Sequence, residues 1–377
     1  MGIATVRMIN IKSGVRKLLG PPYRSARDYR QRLNGATLNS RVINSYILPK
    51  GVESEIRHVC QSRGTIIIGP WLSEVGFELL YWIPFLRWVK EELGICDEKA
   101  VLVSRGGAGA WYADLWPRRI EIFDHVTVEE FKSRNDERIS ATNGKQKHVG
   151  VSGFDSLLLE LLRNDLGIEY DAVLHPSLMY RLFAGFWADR RSSELVRSYT
   201  EFSRLPPPPD TGVKELLPSD YVAVKFYFSE IFPDTPENRN FVTELILSVS
   251  QRHHVVLLDT NLSVDDHLDI KMSTSERVHV VAQHMRPENN LAVQTEIVAG
   301  ARAFLGTYGG FAYLGPFYGV PSIAFHTQRN MIQAHTDLAT RVFASFDGPS
   351  LSVINAADFA AVGLMDSPKG ILSDRIL

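Results

Sequence analysis

One stretch near the carboxyl end, residues 301–326, constrains the fold more than any other part of this 377-residue chain. Its pattern predicts a short buried strand, a glycine-rich turn over 306–310, a short helix and a second strand. A strand that leads through a glycine turn into a helix directs backbone N–H groups, and the positive end of the helix dipole, at one point. Such a point binds phosphate and other anions, and Gly309 and Gly310 would let a ligand approach the backbone closely.

The rest of the chain predicts two α/β domains joined by a proline-rich connector. Short apolar runs such as 65–68 and 221–226 alternate with helical segments, which is typical of parallel sheets covered by helices. Residues 205–210 include four consecutive prolines and can continue neither a helix nor a central strand. We therefore predict an α/β protein with two Rossmann-like domains that face each other across a cleft.

The predicted divisions follow from these patterns. They are a basic N-terminal arm (1–60), an N-terminal Rossmann-like domain (61–204), a proline-rich linker (205–218), a C-terminal Rossmann-like domain (219–345) and a C-terminal helical tail (346–377). Within the N-terminal domain, the polar and charged run 132–148 predicts an exposed loop.

Charge is unevenly distributed along the chain. The net charge of −2 argues against a dedicated nucleic-acid-binding protein, yet residues 1–63 carry 12 Lys and Arg against 3 Asp and Glu. A basic arm on an acidic body is typical of attraction to an anionic surface, and residues 8–19 have the pattern of a short basic amphipathic helix. Peripheral contact with the inner face of a membrane is one interpretation of the arm, and packing on the domain surface is the other.

Two cysteines are too few for a disulfide framework, and no apolar run is long enough for a membrane span or a signal peptide, so we expect a cytoplasmic protein. An acidic cluster follows the predicted strand that ends at Leu258; its members are Asp259, Asp265, Asp266, His267 and Asp269. Hard cations bind carboxylate oxygens, but this spacing matches no EF-hand, so a solvated loop is the preferred interpretation. We expect no metal and no resident cofactor.

Residues 290–325 resemble the donor half of glycosyltransferases with the GT-B fold. Those enzymes have a helix, a strand ending in a turn of small residues, a helix that begins at the diphosphate of a nucleotide-sugar, and a Gly-x-Pro before the next strand. Gly319-Val320-Pro321 occupies that last place here. The heptosyltransferase and fucosyltransferase-like branches show a comparable order. The resemblance implies a metal-independent glycosyltransferase that moves a sugar from a nucleotide-sugar to a glycan or lipid-linked acceptor, in cell-surface polysaccharide synthesis.

On this resemblance the donor site lies in the C-terminal domain. The residues assigned to the diphosphate and the nucleotide are Thr307, Tyr308, Gly309, Gly310, Tyr313, and Gln294 or Glu296. Lys225 and Tyr227 follow the predicted strand Val222-Ala223-Val224. A cation at the carboxyl end of a strand can neutralise the charge that develops on a leaving diphosphate. A solvated surface lysine is the alternative interpretation of Lys225.

The acceptor side is predicted in the loop after the first strand. Glycosyl transfer with inversion requires a base near the acceptor hydroxyl; Glu74 is the first candidate and Glu78 the second, on either side of Gly76. Glu78 would alternatively stabilise the positive end of the following helix, and a retaining enzyme would need no such base. The other predicted cleft residues are Trp71, as a sugar-stacking or a core aromatic residue, and Arg105, Gly106 and Gly107 of a second glycine-rich loop.

Two other functions stay open at this point. A sugar-nucleotide epimerase or a pyruvyl transferase on a similar scaffold would use the same kind of ligand without a glycan acceptor. A non-catalytic binding protein would have kept the fold without the chemistry.

Overall fold

The computed structural model describes residues 41–142, 147–148, 150–188, 192–262, 268–270, 272, 274–327, 333–348 and 350–361. Residues 1–40 of the predicted basic arm, with the predicted amphipathic helix, lie outside the described residues. So do Asp265, Asp266 and His267 of the acidic cluster. Among the described helices, none has the length and apolar composition needed to cross a membrane.

A four-stranded parallel sheet forms the centre of the N-terminal domain. Its strands are β1 (Ile66–Ile68), β2 (Ala100–Ser104), β3 (Arg119–Glu121) and β4 (Ala172–Leu174). They are ordered β3-β2-β1-β4, with Ile67 opposite Val101 on one side and Val173 on the other. β1 and β2 are buried along their whole length, as expected for central parallel strands covered on both faces.

Helices surround this sheet. They are α1 (Arg41–Cys60), α2 (Val75–Phe77), α3 (Ile83–Leu93), α4 (Val128–Ala141), α5 (Gly153–Asn164), α6 (Pro176–Leu182), α7 (Ala184–Trp187) and α8 (Glu194–Arg197). A π-helical turn (Glu78–Trp82) joins α2 to α3. Single-turn π segments are frequent at functional sites.

The boundary of the basic arm differs from the prediction. α1 packs against β4 and α6, and its side chains Val52 and Ile56 are fully buried. Residues 41–60 therefore belong to the N-terminal domain and not to an arm that ends at residue 60. The sequence pattern missed this because Pro49 lies inside the helix, and a proline normally indicates a helix boundary.

The loop predicted over 132–148 is also helical for much of its length, because α4 continues to Ala141. Thr127 starts the helix by accepting a hydrogen bond from the N–H of Glu130. The buried positions are Phe131, Asn135 and Arg138, of which one is apolar. A helix whose inward face is mostly polar has no clear hydrophobic period, so the sequence pattern missed it.

The C-terminal domain is built on a larger sheet. Its strands are β5 (Tyr221–Lys225), β6 (Tyr227–Phe228), β7 (His254–Leu257), β8 (Leu268–Asp269), β9 (Val278–Val280), β10 (Ala303–Thr307), β11 (Ser322–His326) and β12 (Leu351–Asn355). Six of them form a parallel sheet ordered β12-β11-β10-β5-β7-β9, while β6 and β8 form an antiparallel pair. Two parallel sheets with helices between the strands confirm the predicted α/β class with two Rossmann-like domains.

The predicted helical tail over 346–377 begins instead with the strand β12. Ile323 of β11 pairs with Ser352 of β12 in parallel register, so the C-terminal sheet extends past residue 345. A short helix follows this strand, and residues 362–377 lie outside the described part of the chain. Only Leu351 of β12 is buried, and its other four residues are exposed or half-buried, which is why this edge strand gave a weak signal.

The helices of the C-terminal domain are α9 (Pro236–Ser250), α10 (Asn290–Gly300), α11 (Gly310–Phe317), α12 (Gln333–Ala344) and α13 (Ala356–Ala361). α10 is buried from Asn290 to Val298 because the N-terminal domain covers it. The indole N–H of Trp111, from the N-terminal domain, donates to Thr295 Oγ1 of α10 at 2.9 Å. The main hydrophobic core contains side chains of both domains.

The connector between the domains is held at several points. Arg87 of α3 donates to the carbonyl groups of Ser203 (2.8 Å) and Arg204 (3.1 Å). Glu296 of α10 accepts the N–H of Thr211 at 2.7 Å. These contacts fix both ends of the proline-rich segment against the domains it joins.

Candidate active site

The turn between β10 and α11, called here the second glycine turn (306–310), presents backbone amides that the protein does not use. The N–H groups of Gly309, Gly310 and Phe311 make no hydrogen bond to any described residue. Gly309 and Gly310 are half-buried, so the turn is neither open surface nor closed core. α11 begins at Gly310, and the positive end of its dipole coincides with the three amides. This arrangement fits a bound anion such as phosphate.

Two predicted donor-site residues, Lys225 at the end of β5 and Tyr227 at the start of β6, have side chains near the second glycine turn. The Lys225 ammonium donates to the carbonyl of Leu258 at 2.9 Å and lies 4.9 Å from the ring centre of Phe311. The hydroxyl of Tyr227 fills the space next to Gly309, where any Cβ would collide with it. A hydroxyl therefore lies against Gly309, and a cation lies near the Phe311 ring at the start of α11.

The N-terminal domain meets this turn at Gly76. A Cβ on Gly76 would lie 3.3 Å from both the Cα and the N of Gly310, and 3.5 Å from the ring of Tyr313. Glu74 is half-buried, has an extended backbone and precedes the first residue of α2. The predicted base and the predicted anion site are thus carried by two backbone segments that touch.

Glu78 is enclosed in the core of the N-terminal domain. Its Oε1 accepts the hydroxyl proton of Tyr112 at 2.5 Å, and its Oε2 makes no hydrogen bond to a described residue. Burial raises the pKa of Glu78 to about 7, although Arg105 and Tyr112 oppose the rise. A fully buried carboxyl cannot reach a substrate hydroxyl. Of the two predicted bases, Glu74 is therefore the better placed.

Three residues of the predicted diphosphate and nucleotide site have structural roles. The N–H of Tyr308 donates to the carbonyl of Phe325 at 2.9 Å, and its hydroxyl is 2.6 Å from that of Tyr313. Both tyrosines are buried. Thr307 Oγ1 accepts the N–H of Tyr227 (3.0 Å) and donates to its carbonyl (2.9 Å), so Thr307 positions Tyr227 and does not face a ligand.

Gln294 and Glu296 also differ from the prediction, because α10 lies between the domains. Gln294 is 1% exposed and donates to the carbonyl of Asn290 in its own helix at 3.0 Å. Glu296 binds Thr211 of the connector through both the N–H and the hydroxyl. Neither side chain lines a nucleotide pocket.

Trp71 is a core residue. Its indole is 1% exposed and stacks on Trp82, with ring centres 5.7 Å apart, and on Tyr180 at 6.1 Å. The core interpretation of this tryptophan, and not the sugar-stacking one, agrees with the structure.

The loop with Gly106 and Gly107, called here the first glycine turn (105–107), is filled by the protein itself. The carboxylate of Glu121 accepts the N–H of Gly106 (2.7 Å) and of Gly107 (2.9 Å). The carbonyl of Gly106 in turn accepts the N–H of Leu291 (2.7 Å) and of Ala292 (3.2 Å) at the start of α10. This turn joins the two domains. Its glycines were predicted to line a ligand site, and they do not.

A buried cluster of His148, Asp155 and His175 has the composition of a metal site. Nδ1 of His148, Oδ1 of Asp155 and Nε2 of His175 lie within 4.8 Å of one another. An imidazole that binds a metal normally carries a proton on its other nitrogen. Nε2 of His148, however, accepts the N–H of Leu72 at 3.1 Å. Nδ1 of His175 accepts the N–H of Ser177 at 3.2 Å. The ring protons therefore point into the cluster, which does not suit a metal centre. Among the described residues, these three facing atoms make no hydrogen bond to one another, so the cluster is held by charge attraction.

The predicted site residues did not include His148, Asp155, His175, Arg138 or Glu121. One signal was readable: Ser152 and Asp155 have the three-residue spacing of a capping box, and the structure contains that box. The histidines gave none, because isolated histidines in different segments become neighbours only after folding. His175 follows β4 directly, at the carboxyl edge of the sheet.

Comparison with known proteins shows only a weak similarity of overall fold. No protein-family model and no curated protein matches the chain. A family 9 glycosyl transferase from Veillonella parvula is similar at a TM-score of 0.42 and 13% identity, with 80% of this chain and 88% of that chain covered. The ADP-heptose lipopolysaccharide heptosyltransferase II of E. coli is similar at 0.40 and 11%, over 77% and 90%.

A UDP-GlcNAc 2-epimerase from Methanocaldococcus jannaschii is similar at a TM-score of 0.33 and 10% identity, with 83% of this chain and 93% of that chain covered. Identities and TM-scores this low do not carry an activity or a residue role from those proteins to this one. The function of this chain must be inferred from its own site.

Proposed function

We propose that the protein is a glycosyltransferase that moves a sugar from a nucleotide-sugar to a glycan or lipid-linked acceptor. The observation that carries the proposal is the run of three unused amides at Gly309, Gly310 and Phe311, at the start of a helix and facing the other domain. A diphosphate offers several anionic oxygens to such a run. The position of the run, where the two α/β domains meet, also supports a ligand bound there.

In this proposal the donor diphosphate is held by the amides, with Lys225 and Tyr227 beside it. As the glycosidic bond to the diphosphate breaks, negative charge grows on the leaving oxygen. The fixed amide dipoles and the Lys225 ammonium stabilise that charge without reorganisation, so we expect the reaction to need no divalent metal. Lys225 is itself 9% exposed, which strengthens its electrostatic effect.

The acceptor would approach from the N-terminal domain, where Glu74 lies two residues before Gly76. If transfer inverts the anomeric centre, Glu74 takes the proton of the acceptor hydroxyl as the new bond forms. The contact between Gly76 and Gly310 leaves no room between these two glycines. Donor binding on this proposal therefore requires the backbone at Gly76 to move away from the second glycine turn, while the segment before Glu74 stays in place.

Two further features of the proposal concern location. We expect a cytoplasmic enzyme that takes part in cell-surface polysaccharide synthesis. The excess of basic residues in the first 63 positions supports peripheral contact with an anionic membrane surface. Binding of the full chain to vesicles with and without anionic lipid tests this part by itself.

The central test measures release of nucleoside diphosphate from a panel of nucleotide-sugars, with and without a chelator, together with calorimetric binding of the nucleotides. We expect turnover that survives chelation. Lys225→Met should lower kcat by about 100-fold or more, since one preorganised charge at a leaving group contributes on that scale. Lys214→Met, which removes an exposed lysine, is the matched control.

Absence of nucleotide binding and of turnover across the panel would contradict the proposal. Conversion of a sugar nucleotide without any acceptor would assign the site to an epimerase-like reaction instead. Binding without turnover, unchanged in Lys225→Met, would leave a binding protein.

A further inference from the structure

The loop that carries Glu74 is held by an unusual number of buried polar side chains. The N–H of Leu72 donates to Nε2 of His148 at 3.1 Å, and its carbonyl accepts from Arg138 at 3.2 Å. The carbonyl of Ser73 accepts from Arg105 at 2.5 Å. Two consecutive loop residues are thus fixed by three side chains from three other segments of the domain.

These three side chains are almost completely enclosed. His148 is 1% exposed, Arg138 is 5% and Arg105 is 9%. Burying two guanidinium groups and an imidazole costs desolvation energy that a solvent-exposed loop would not incur. Apolar residues at these three positions would stabilise the domain equally well, so stability alone does not account for this arrangement.

A second layer of buried polar groups lies behind the imidazole of His148. Asp155 is fully buried, and its Oδ2 accepts the N–H (2.7 Å) and the hydroxyl (2.6 Å) of Ser152. Its Oδ1 lies 3.2 Å from Nε2 of His175 and 3.9 Å from Nδ1 of His148. Burial opposes ionisation of Asp155, but the two histidines and Ser152 lower its pKa to about 2, so it is a carboxylate. The carboxylate favours the His148 tautomer with Nδ1–H, and this leaves Nε2 to accept from Leu72.

We propose that His148, Arg138 and Arg105, with Asp155 behind them, form a polar cage that positions Glu74 for the reaction. This inference rests on the proposed function. Leu72 and Ser73 are the two residues directly before Glu74, and α2 begins directly after it. Fixing both carbonyls and one amide of this segment fixes where the Glu74 carboxylate points. A displacement of about 1 Å in a reacting group can cost about 100-fold in rate, so a cage of this kind matters for turnover more than for folding.

The test compares His148→Phe with His148→Gln in the full chain. Phenylalanine keeps the ring but offers no acceptor to Leu72, whereas the glutamine amide oxygen replaces Nε2. We expect His148→Phe to lower kcat by about 100-fold while the donor Kd stays within about 2-fold, because the donor site belongs to the other domain. His148→Gln should recover kcat to within about 10-fold of the unmodified protein.

A second measurement does not depend on turnover. Hydrogen exchange at the amides of residues 72–74 should accelerate by at least about 10-fold in His148→Phe, and the amides of β10 should not change. If His148→Phe does not fold, Arg138→Met, which removes the hydrogen bond to the Leu72 carbonyl, replaces it with the same expected results.

Several outcomes would overturn the cage. In His148→Phe they are an unchanged rate of hydrogen exchange at residues 72–74, a kcat within about 3-fold of the unmodified protein, or a donor affinity that falls in parallel with kcat. One equivalent of tightly bound metal, lost in His148→Phe, would assign the cluster to a metal centre instead. If the unmodified protein neither binds nor turns over any nucleotide-sugar, the proposed function fails, and the exchange data still decide whether the cage holds the loop.

Discussion

The two glycine-rich turns of this protein look alike in sequence and differ in what they bind. Each follows a buried parallel strand and lies at the boundary between the domains. In the first glycine turn, the carboxylate of Glu121 accepts the amides of Gly106 and Gly107. In the second, the amides of Gly309, Gly310 and Phe311 have no acceptor among the described residues. Glu121 supplies acceptor oxygens for the first turn, and none of the described residues supplies one for the second.

The difference shows that glycine content alone does not identify an anion site. A strand followed by glycines lets the backbone approach a partner closely. In the first glycine turn the partners are the side chain of Glu121 and the start of α10. The discriminating feature is whether a side chain elsewhere in the chain completes the hydrogen bonds. Glu121 is 14 or 15 residues away from the glycines that it binds, and no local pattern reports such a pairing.

The largest effect is expected from adding one methyl group to each turn. In Gly310→Ala the new Cβ would lie 2.5 Å from the N of Gly76 and 2.7 Å from Val75 Cβ. We expect a loss of donor affinity and turnover of at least about 100-fold, equivalent to about 3 kcal/mol, because the backbone approach at the ligand site is disturbed. Gly51→Ala, where a Cβ meets nothing within 4 Å, is the control.

Gly107→Ala provides the contrasting case. Its φ is +80° and its Cβ would lie 2.7 Å from the Cβ of Ala292, so we expect the free energy of unfolding to fall by about 1–3 kcal/mol. Donor affinity of the folded protein should not change. Equal losses of donor affinity in both variants would abolish the distinction between the turns.

A smaller effect is expected from emptying the first glycine turn. Glu121→Ala leaves the amides of Gly106, Gly107 and Phe123 without their acceptor, and we expect a loss of about 2–3 kcal/mol in the free energy of unfolding. The emptied turn should then resemble the second one, so sulfate should raise the melting temperature of this variant more than that of the unmodified protein.

Glu129→Gln, a change at an exposed glutamate of the same domain, is the control for the loss of a carboxylate. If sulfate protects the Glu121→Ala variant no better than the unmodified protein, the amides of the first turn are not equivalent to those of the second.

The smallest effect concerns Glu78, which accepts a hydrogen bond from Tyr112 and interacts electrostatically with Arg105 of the first glycine turn. Burial raises its folded pKa from 4.5 to about 7, so the folded state binds more protons than the unfolded state between these values. Stability from this group is therefore complete below about pH 4.5 and is lost as the pH rises through about 7. Glu78→Gln should unfold with a flatter pH dependence and be more stable than the unmodified protein at pH 8, by roughly 1–2 kcal/mol.

Denaturant unfolding of both proteins from pH 5 to pH 8 measures this directly. Parallel curves for the two proteins over that range would mean that Glu78 does not titrate there. Retained turnover in Glu78→Gln would agree with its place in the core and with Glu74 as the base of the proposed reaction.

The central strands and the order of elements were predictable from sequence because short apolar runs between glycine and proline punctuation have few other solutions. Segments whose inward face is polar, such as α4, were not. The edge strand β12 also gave little signal, since only one of its residues is buried. In both cases the burial that stabilises the element comes from neighbours distant in sequence.

Site residues divide in the same way. Lys225 and Tyr227 were predicted at the donor diphosphate from their place after the strand Val222-Ala223-Val224. The structure has the Lys225 ammonium near the ring of Phe311 and the Tyr227 hydroxyl against Gly309, because parallel strands end at one edge. That they bind a donor stays a prediction. Gln294 and Glu296 were predicted in a nucleotide pocket, but the N-terminal domain and the connector cover their helix. Which face of a helix another domain covers is not encoded in the helix itself.

By itself the sequence determined the α/β class, the two parallel sheets and the glycine turn that begins α11, because these depend on local periodicity and backbone freedom. Only the tertiary structure decided which amides are left without a hydrogen-bond acceptor among the described residues and which carboxylates are buried. Hydrogen-bond saturation and desolvation depend on groups brought together from distant segments, as Glu121 meets Gly106 and His148 meets Leu72.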